Sequence, residues 1–191
     1  MYNFASAYNV IRIKKIMKTL IIIPSRMSAT RLPGKPLIKI NGLSIISHVF
    51  KKAEQANIGE VYVATEDQEI IDDVKQNGGQ AVMTSNIHKS GTDRIYEALK
   101  ILGKLEVDLV INLQGDEPLM SINDIRNLHK HMVKSNSEIG TLAANILNKN
   151  LYQDQSVVKV ITDLDLNKAE FPEAVNFSRK ISHENKNIYH H

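Results

Sequence analysis

The chain reads as an α/β protein built on a mostly parallel sheet with helices on both faces. Two observations predict this. Short β-rich runs alternate with longer stretches whose apolar residues recur at helical spacing, and the runs are apolar on both faces, as strands covered by helices on two sides must be.

The elements follow in order. "TLIIIPS" (19–25) is the first strand, and "LSIISHVFKKAEQAN" (43–57) follows as a helix, with Ile45, Ile46, Val49, Ala53 and Ala56 on one face and Lys and Glu on the other. "EVYVATE" (60–66) is a strand, "DQEIIDDVKQNGG" (67–79) a helix ended by Gly78 and Gly79, and "QAVMT" (80–84) a strand. "GTDRIYEALKILG" (91–103) is the third helix, "DLVINLQ" (108–114) the fourth strand and "INDIRNLHKHMVKSN" (122–136) the fourth helix. "IGTLAANI" (139–146) and "SVVKVIT" (156–162) read as two further strands.

Composition excludes several classes of function. The 191 residues include no cysteine, which rules out a disulfide framework or a cysteine zinc site and makes a cytoplasmic setting the plain expectation. The apolar runs are far shorter than the roughly 20 residues of a membrane-spanning helix. The formal charge of +3 is local: Arg12, Lys14 and Lys15 lie in the first 16 residues, leaving 21 basic to balance 21 acidic side chains in the rest. A neutral body argues against binding nucleic acid through broad phosphate contacts. The acid-poor leader, residues 1–16, reads as an extension upstream of a start at Met17.

In such sheets ligands gather outside the carboxyl ends of the strands. Two segments fall there, and they should face one cleft. The first is "SRMSATRLPGKPL" (25–37), which is no P-loop, because Ala29 and Pro36 stand where that motif needs Gly and Ser or Thr. Its Arg26, Arg31 and Lys35 nevertheless form a cation set suited to a polyphosphate, or else a solvated basic loop. The second is "QGDEP" (114–118), where Gly115 reads as a tight-turn residue and Asp116 as a carboxylate placed to hold Mg²⁺ beside substrate phosphates. A third segment, "HKSGTDR" (88–94), reads as a helix N-terminus capped by Ser90 or Thr92, with free N–H groups facing any nearby acceptor.

The segments "IIIPSRMSATRLPGKPL", "VYVATED", "HKSGTDR" and "VINLQGDEP", in this order and spacing, resemble the 3-deoxy-manno-octulosonate (Kdo) cytidylyltransferases, or CMP-Kdo synthetases. The resemblance runs from about Lys18 to the last residue; CMP-sialate synthetases share the opening loop in looser form. It implies a Rossmann-like nucleotide-diphospho-sugar transferase fold and transfer of CMP from CTP to Kdo. The products would be CMP-Kdo for lipopolysaccharide biosynthesis and pyrophosphate, with Mg²⁺ as cofactor. Carried onto this chain, Arg26, Arg31 and Lys35 would hold the CTP phosphates, with Ser90 and Gly91 near the nucleotide. Gln114, Arg179 and His191 would lie on the sugar side and Asp116 would hold the metal, so that Arg26, Lys35 and Asp116 form the catalytic set.

The family pattern continues beyond "NIYHH" into further strands, helices and a second metal carboxylate. Residues 17–191 therefore read as an incomplete cytidylyltransferase domain whose C-terminal part, with the family's homodimer surface, is missing; in a split enzyme a complementing C-terminal polypeptide would supply it. The alternatives are a catalytically inactive remnant, one half of a split enzyme, or a cytidylyltransferase for another sugar acid such as sialic acid. Among the histidines, His129 and His131 point to different helix faces, His48 and His88 read as surface or helix-end residues, and His190 and His191 as a frayed end, with only His191 gaining a role from the resemblance.

Overall fold

The computed structural model describes residues 17–28, 32–135, 137–181 and 187–191. The leader 1–16 and Arg31 lie outside the described residues. Two compact units emerge, one of residues 17–50 and 59–116 and one of residues 51–58 and 117–191.

The first unit is built on four parallel strands in the order β5-β4-β1-β6. These are β1 (Thr19–Ser25), β4 (Glu60–Thr65), β5 (Ala81–Met83) and β6 (Leu109–Asn112). A small hairpin, β2 (Lys39–Ile40) with β3 (Leu43–Ser44), precedes α1 (Ile45–Ala56), and α2 (Gln68–Gln76) and α3 (Gly91–Ile101) complete the crossovers. Central β1 explains the apolar run of the sequence: Leu20, Ile21, Ile22 and Ile23 are each at most 1% exposed because both faces are covered. Burial of each such side chain contributes roughly 1.5–3 kcal/mol. Leu20 and Ile22 pack with Ala64, Val82 and the Ile95, Ala98 and Leu99 stripe of α3. Alternation turns Ile21 and Ile23 to the other face, and α1 and α2 bury Ile46, Val49, Phe50, Ile70 and Val74.

Strand order reverses between β1 and β6, because the chain steps outward from β1 to β4 and β5 and then returns to the opposite side of β1. The crevice at that reversal, beyond the carboxyl ends of β1 and β6, is the ligand position of an open α/β sheet. Both sequence-predicted loops leave from it.

The second unit holds α4 (Ile122–Lys134) and an antiparallel sheet in the order β8-β7-β9. Its strands are β7 (Lys159–Thr162), β8 (Ala174–Ser178) and β9 (Ile188–His190). Lys159 on β7 is fully buried, its Nζ donating to Asp154 O at 2.5 Å and Arg179 O at 3.0 Å. Residues 139–146, expected as a strand, form a single bridge between Ala144 and His190. At Gly140 in this segment a Cβ would stand 2.4 Å from Met132 Sδ and 3.1 Å from Phe171 Cζ, so the backbone there packs closely on both side chains. The terminal histidines are not a frayed end. His190 pairs in β9, and His191 donates its backbone N–H to Val158 O at 3.1 Å, with Nε2 2.9 Å from Thr141 Oγ1.

Candidate functional site

The loop after β1 is shaped by its base. Gly34 takes φ +71°, a conformation that costs glycine little, and its N–H donates to Met27 O at 3.1 Å, closing the loop on itself. Lys35–Leu37 then form one 3₁₀ turn in which Pro36 is buried, and the turn directs Lys35 back toward the sheet. The Lys35 ammonium reaches Asp116 Oδ2 at 2.7 Å, so the two loops predicted to share a cleft do so.

Gly115 lies in the turn read from sequence, and it serves close approach as well. It does not take a positive φ; a Cβ there would stand 3.0 Å from Pro24 O and 3.2 Å from Ile46 Cδ1, so the turn after β6 lies directly on the end of β1.

The opposite wall is the start of α3. Ser90 caps it, accepting a hydrogen bond from Asp93 N at 3.1 Å while its hydroxyl donates to Asp93 Oδ2 at 2.7 Å. Gly91 lets this helix end close on β1, since a Cβ would meet Pro24 Cγ at 3.2 Å. Behind it Arg94 is buried, donating to Thr84 Oγ1 at 2.6 Å and Ser85 O at 3.3 Å and pairing with Glu66. His88 is not an idle surface residue: its Nε2 lies 2.5 Å from Glu97 Oε2. That hydrogen bond, with one from Ser85 N, holds the Glu97 carboxyl below its ordinary range.

Together these elements enclose a cavity of about 320 Å³, lined by Arg26, Lys35, Ser90, Gly91, Gln114 and Asp116 among others. All six are sequence-predicted site residues. His48 stays at a helix face, with Nε2 2.8 Å from Ile40 O. Sequence reading missed His88 and Arg94, which also line the cavity, although both stand within the "HKSGTDR" segment. Of the remaining three predicted residues, Arg31 lies outside the described residues and the other two belong to the second unit. Arg179 follows β8, with Nη1 donating to Gln155 O at 3.0 Å and Ser156 O at 2.8 Å, and His191 stands edge-on to Phe177 with ring centres 5.0 Å apart. Among the described residues no three His, Asp or Glu side chains are grouped as a metal cage, and no helix is long and apolar enough to cross a membrane.

A parallel sheet with a cationic loop, a helix N-terminus and a carboxylate at its reversal point is the architecture of the nucleotidyltransferases. Within that class the chain belongs to the cytidylyltransferase family, whose model matches residues 20–191. It is 45% identical over 148 residues to a 3-deoxy-manno-octulosonate cytidylyltransferase of Nitrobacter winogradskyi, covering 75% of this chain and 57% of the relative. A protein of the same name from Rhodopseudomonas palustris is 49% identical over 145 residues, covering 75% of this chain and 59% of the relative. The chain thus spans just under three fifths of the length of these curated relatives. A solved CMP:2-keto-3-deoxy-manno-octonic acid synthetase complexed with CTP superposes with a TM-score of 0.77 at 36% identity, over 91% of this chain and 71% of that one.

Proposed function

We propose that the chain acts as a cytidylyltransferase that passes CMP from CTP to Kdo, forming CMP-Kdo for lipopolysaccharide biosynthesis and releasing pyrophosphate. The observation that carries this reading is the convergence of Arg26, Lys35, the Ser90–Gly91 helix start and Asp116 on one cavity. The names of the relatives and of the CTP-bound structural neighbour support the choice of nucleotide and sugar.

In this reading Arg26 and Lys35 grip the triphosphate, and the open N–H groups at the start of α3 add a fixed positive end to the same cavity. The Gln114 amide offers a donor and an acceptor to the sugar acid. The anomeric hydroxyl of Kdo attacks the α-phosphorus in line; the new O–P bond forms as the bond to the β-phosphate oxygen breaks, pyrophosphate carries the electron pair away, and the hydroxyl proton is released to water. The lone carboxylate of Asp116 fits a Mg²⁺ that takes one or two protein carboxylates and completes its shell with phosphate oxygens and water. When bound, that ion neutralises phosphate charge and acidifies the attacking hydroxyl. The protein's share is positioning, and an aligned pair of reactants accounts for roughly 7–11 kcal/mol of barrier reduction. Two charged, water-soluble substrates support a cytoplasmic place of action.

Pyrophosphate release measured with CTP, Mg²⁺ and Kdo, against UTP and sialic acid, tests the proposal. Release that requires both CTP and Kdo is expected. Equal release with sialic acid would reassign the sugar, and no release from folded protein that binds CTP would remove the transferase activity from this chain.

A further inference from the structure

The acidic turn after β4, Glu66 and Asp67, sits beside the cavity and has no part in the chemistry above. By position Asp67 is the N-cap of α2, and its residue type is a preferred one there. Its carboxylate makes no capping bond. Instead Oδ2 accepts the backbone N–H of Met27 at 2.8 Å, 40 residues away, at the point where the cationic loop leaves Arg26. Met27 O in turn accepts Gly34 N–H at 3.1 Å, so the loop closes on the residue that Asp67 holds. The turn itself is fixed, because Asp67 N–H donates to the fully buried Thr65 Oγ1 at 3.1 Å. On the other side of the same turn Glu66 pairs with buried Arg94 of α3. One dipeptide thereby ties down both cationic walls.

We propose that Asp67 is a positioning residue for nucleotide binding: its carboxylate fixes the base of the loop through Met27 N–H and so sets where Arg26 and Lys35 meet the phosphates. The inference rests on the reading of the cavity as a triphosphate site. A carboxylate bonded to a backbone N–H is among the stronger hydrogen bonds. An acceptor held by the end of β4 gives the loop a rigid anchor that its own sequence lacks.

The test compares Asp67→Ala and Asp67→Asn in the full chain, reading amide exchange and the affinities for CTP and CMP with Mg²⁺. Asp67→Ala is expected to speed exchange at the Met27 and Gly34 amides while the α2 amides stay unchanged. It is also expected to weaken CTP binding on the order of tenfold, the scale of one charge-assisted hydrogen bond, with a smaller effect on CMP. Asp67→Asn, which keeps an acceptor oxygen, restores both readouts. Unchanged Met27 exchange overturns the proposal, as does faster exchange throughout α2, which would make Asp67 a helix cap. Faster Met27 exchange with unaltered CTP affinity overturns its role in nucleotide binding. If wild-type protein binds no CTP yet Met27 exchange still responds, the triphosphate reading falls and the loop anchor stands.

Discussion

Lys35 and Asp116, separated by 81 positions in sequence, meet at 2.7 Å across the crevice between β1 and β6. Their side chains keep 32% and 55% of their exposure, so solvent screens the pair and its worth to stability is small. Its value lies in location, because each residue ends a loop that the sheet's reversal of strand order brings to one cavity.

Replacing Lys35 by Ala should therefore harm binding more than folding. The loss of a cation that bonds a phosphate oxygen corresponds to about 1.5–3 kcal/mol, a ten- to hundredfold weaker CTP. Calorimetric titration alongside a melting curve checks this: weaker CTP with a near-unchanged melting temperature is expected, and an unaltered dissociation constant would remove Lys35 from the site.

Asp116→Asn keeps the shape of the side chain and removes its charge. Affinity for CTP should then lose its dependence on Mg²⁺, with the variant and the wild type converging when the metal is chelated. A variant that responds to Mg²⁺ as the wild type does would place the metal's protein ligand elsewhere.

Gly115→Ala puts a Cβ 3.0 Å from Pro24 O, a contact with backbone that cannot swing aside. Overpacking of this kind costs about 1–3 kcal/mol, and here it would also push the Asp116 turn away from β1. A urea titration should register the lost stability; an unchanged midpoint would mean that the two strand ends are not held this closely.

Glu97 carries a pH dependence. The hydrogen bond from His88, and then that from Ser85 N, lower its pKa in the folded state. A carboxyl depressed on folding adds stability that is fully present above its unfolded value and is lost as the pH falls through the folded one. Glu97→Gln should therefore be less stable than wild type at neutral pH, with the gap closing below about pH 4. Melting curves across that range decide it, and a gap independent of pH would contradict the assignment.

Much of this architecture was legible in the sequence because it depends on local pattern. Buried β1 shows as an unbroken apolar run, the helices as 3.6-residue stripes, and the α3 start as a serine before a periodic segment. The meeting of the two loops followed from strand order in an open α/β sheet. What stayed hidden depends on partners outside the local periodic pattern. Arg94 and Lys159 are charged residues that a pattern puts outside, yet each is buried because acceptors from other segments satisfy it, Glu66 and Thr84 for the first and the carbonyls of Asp154 and Arg179 for the second. Asp67 looks like a helix cap in any sequence, and only the position of Met27 N–H reveals its other use. The short strands β8 and β9 were not separated in the sequence reading: "AVNFS" alternates Val175 and Phe177 with Asn176 and Ser178, but over only five residues, and both apolar side chains stay exposed.

The central claim is that the cavity takes a cytidine triphosphate through Arg26 and Lys35. Titration of the 191-residue chain with CTP and Mg²⁺, beside CMP and UTP, tests it most directly. Saturable binding at one site, tighter for CTP than for CMP and weakened by Lys35→Ala, is the predicted result. Binding that ignores the β- and γ-phosphates, or none at all from folded protein, would contradict it.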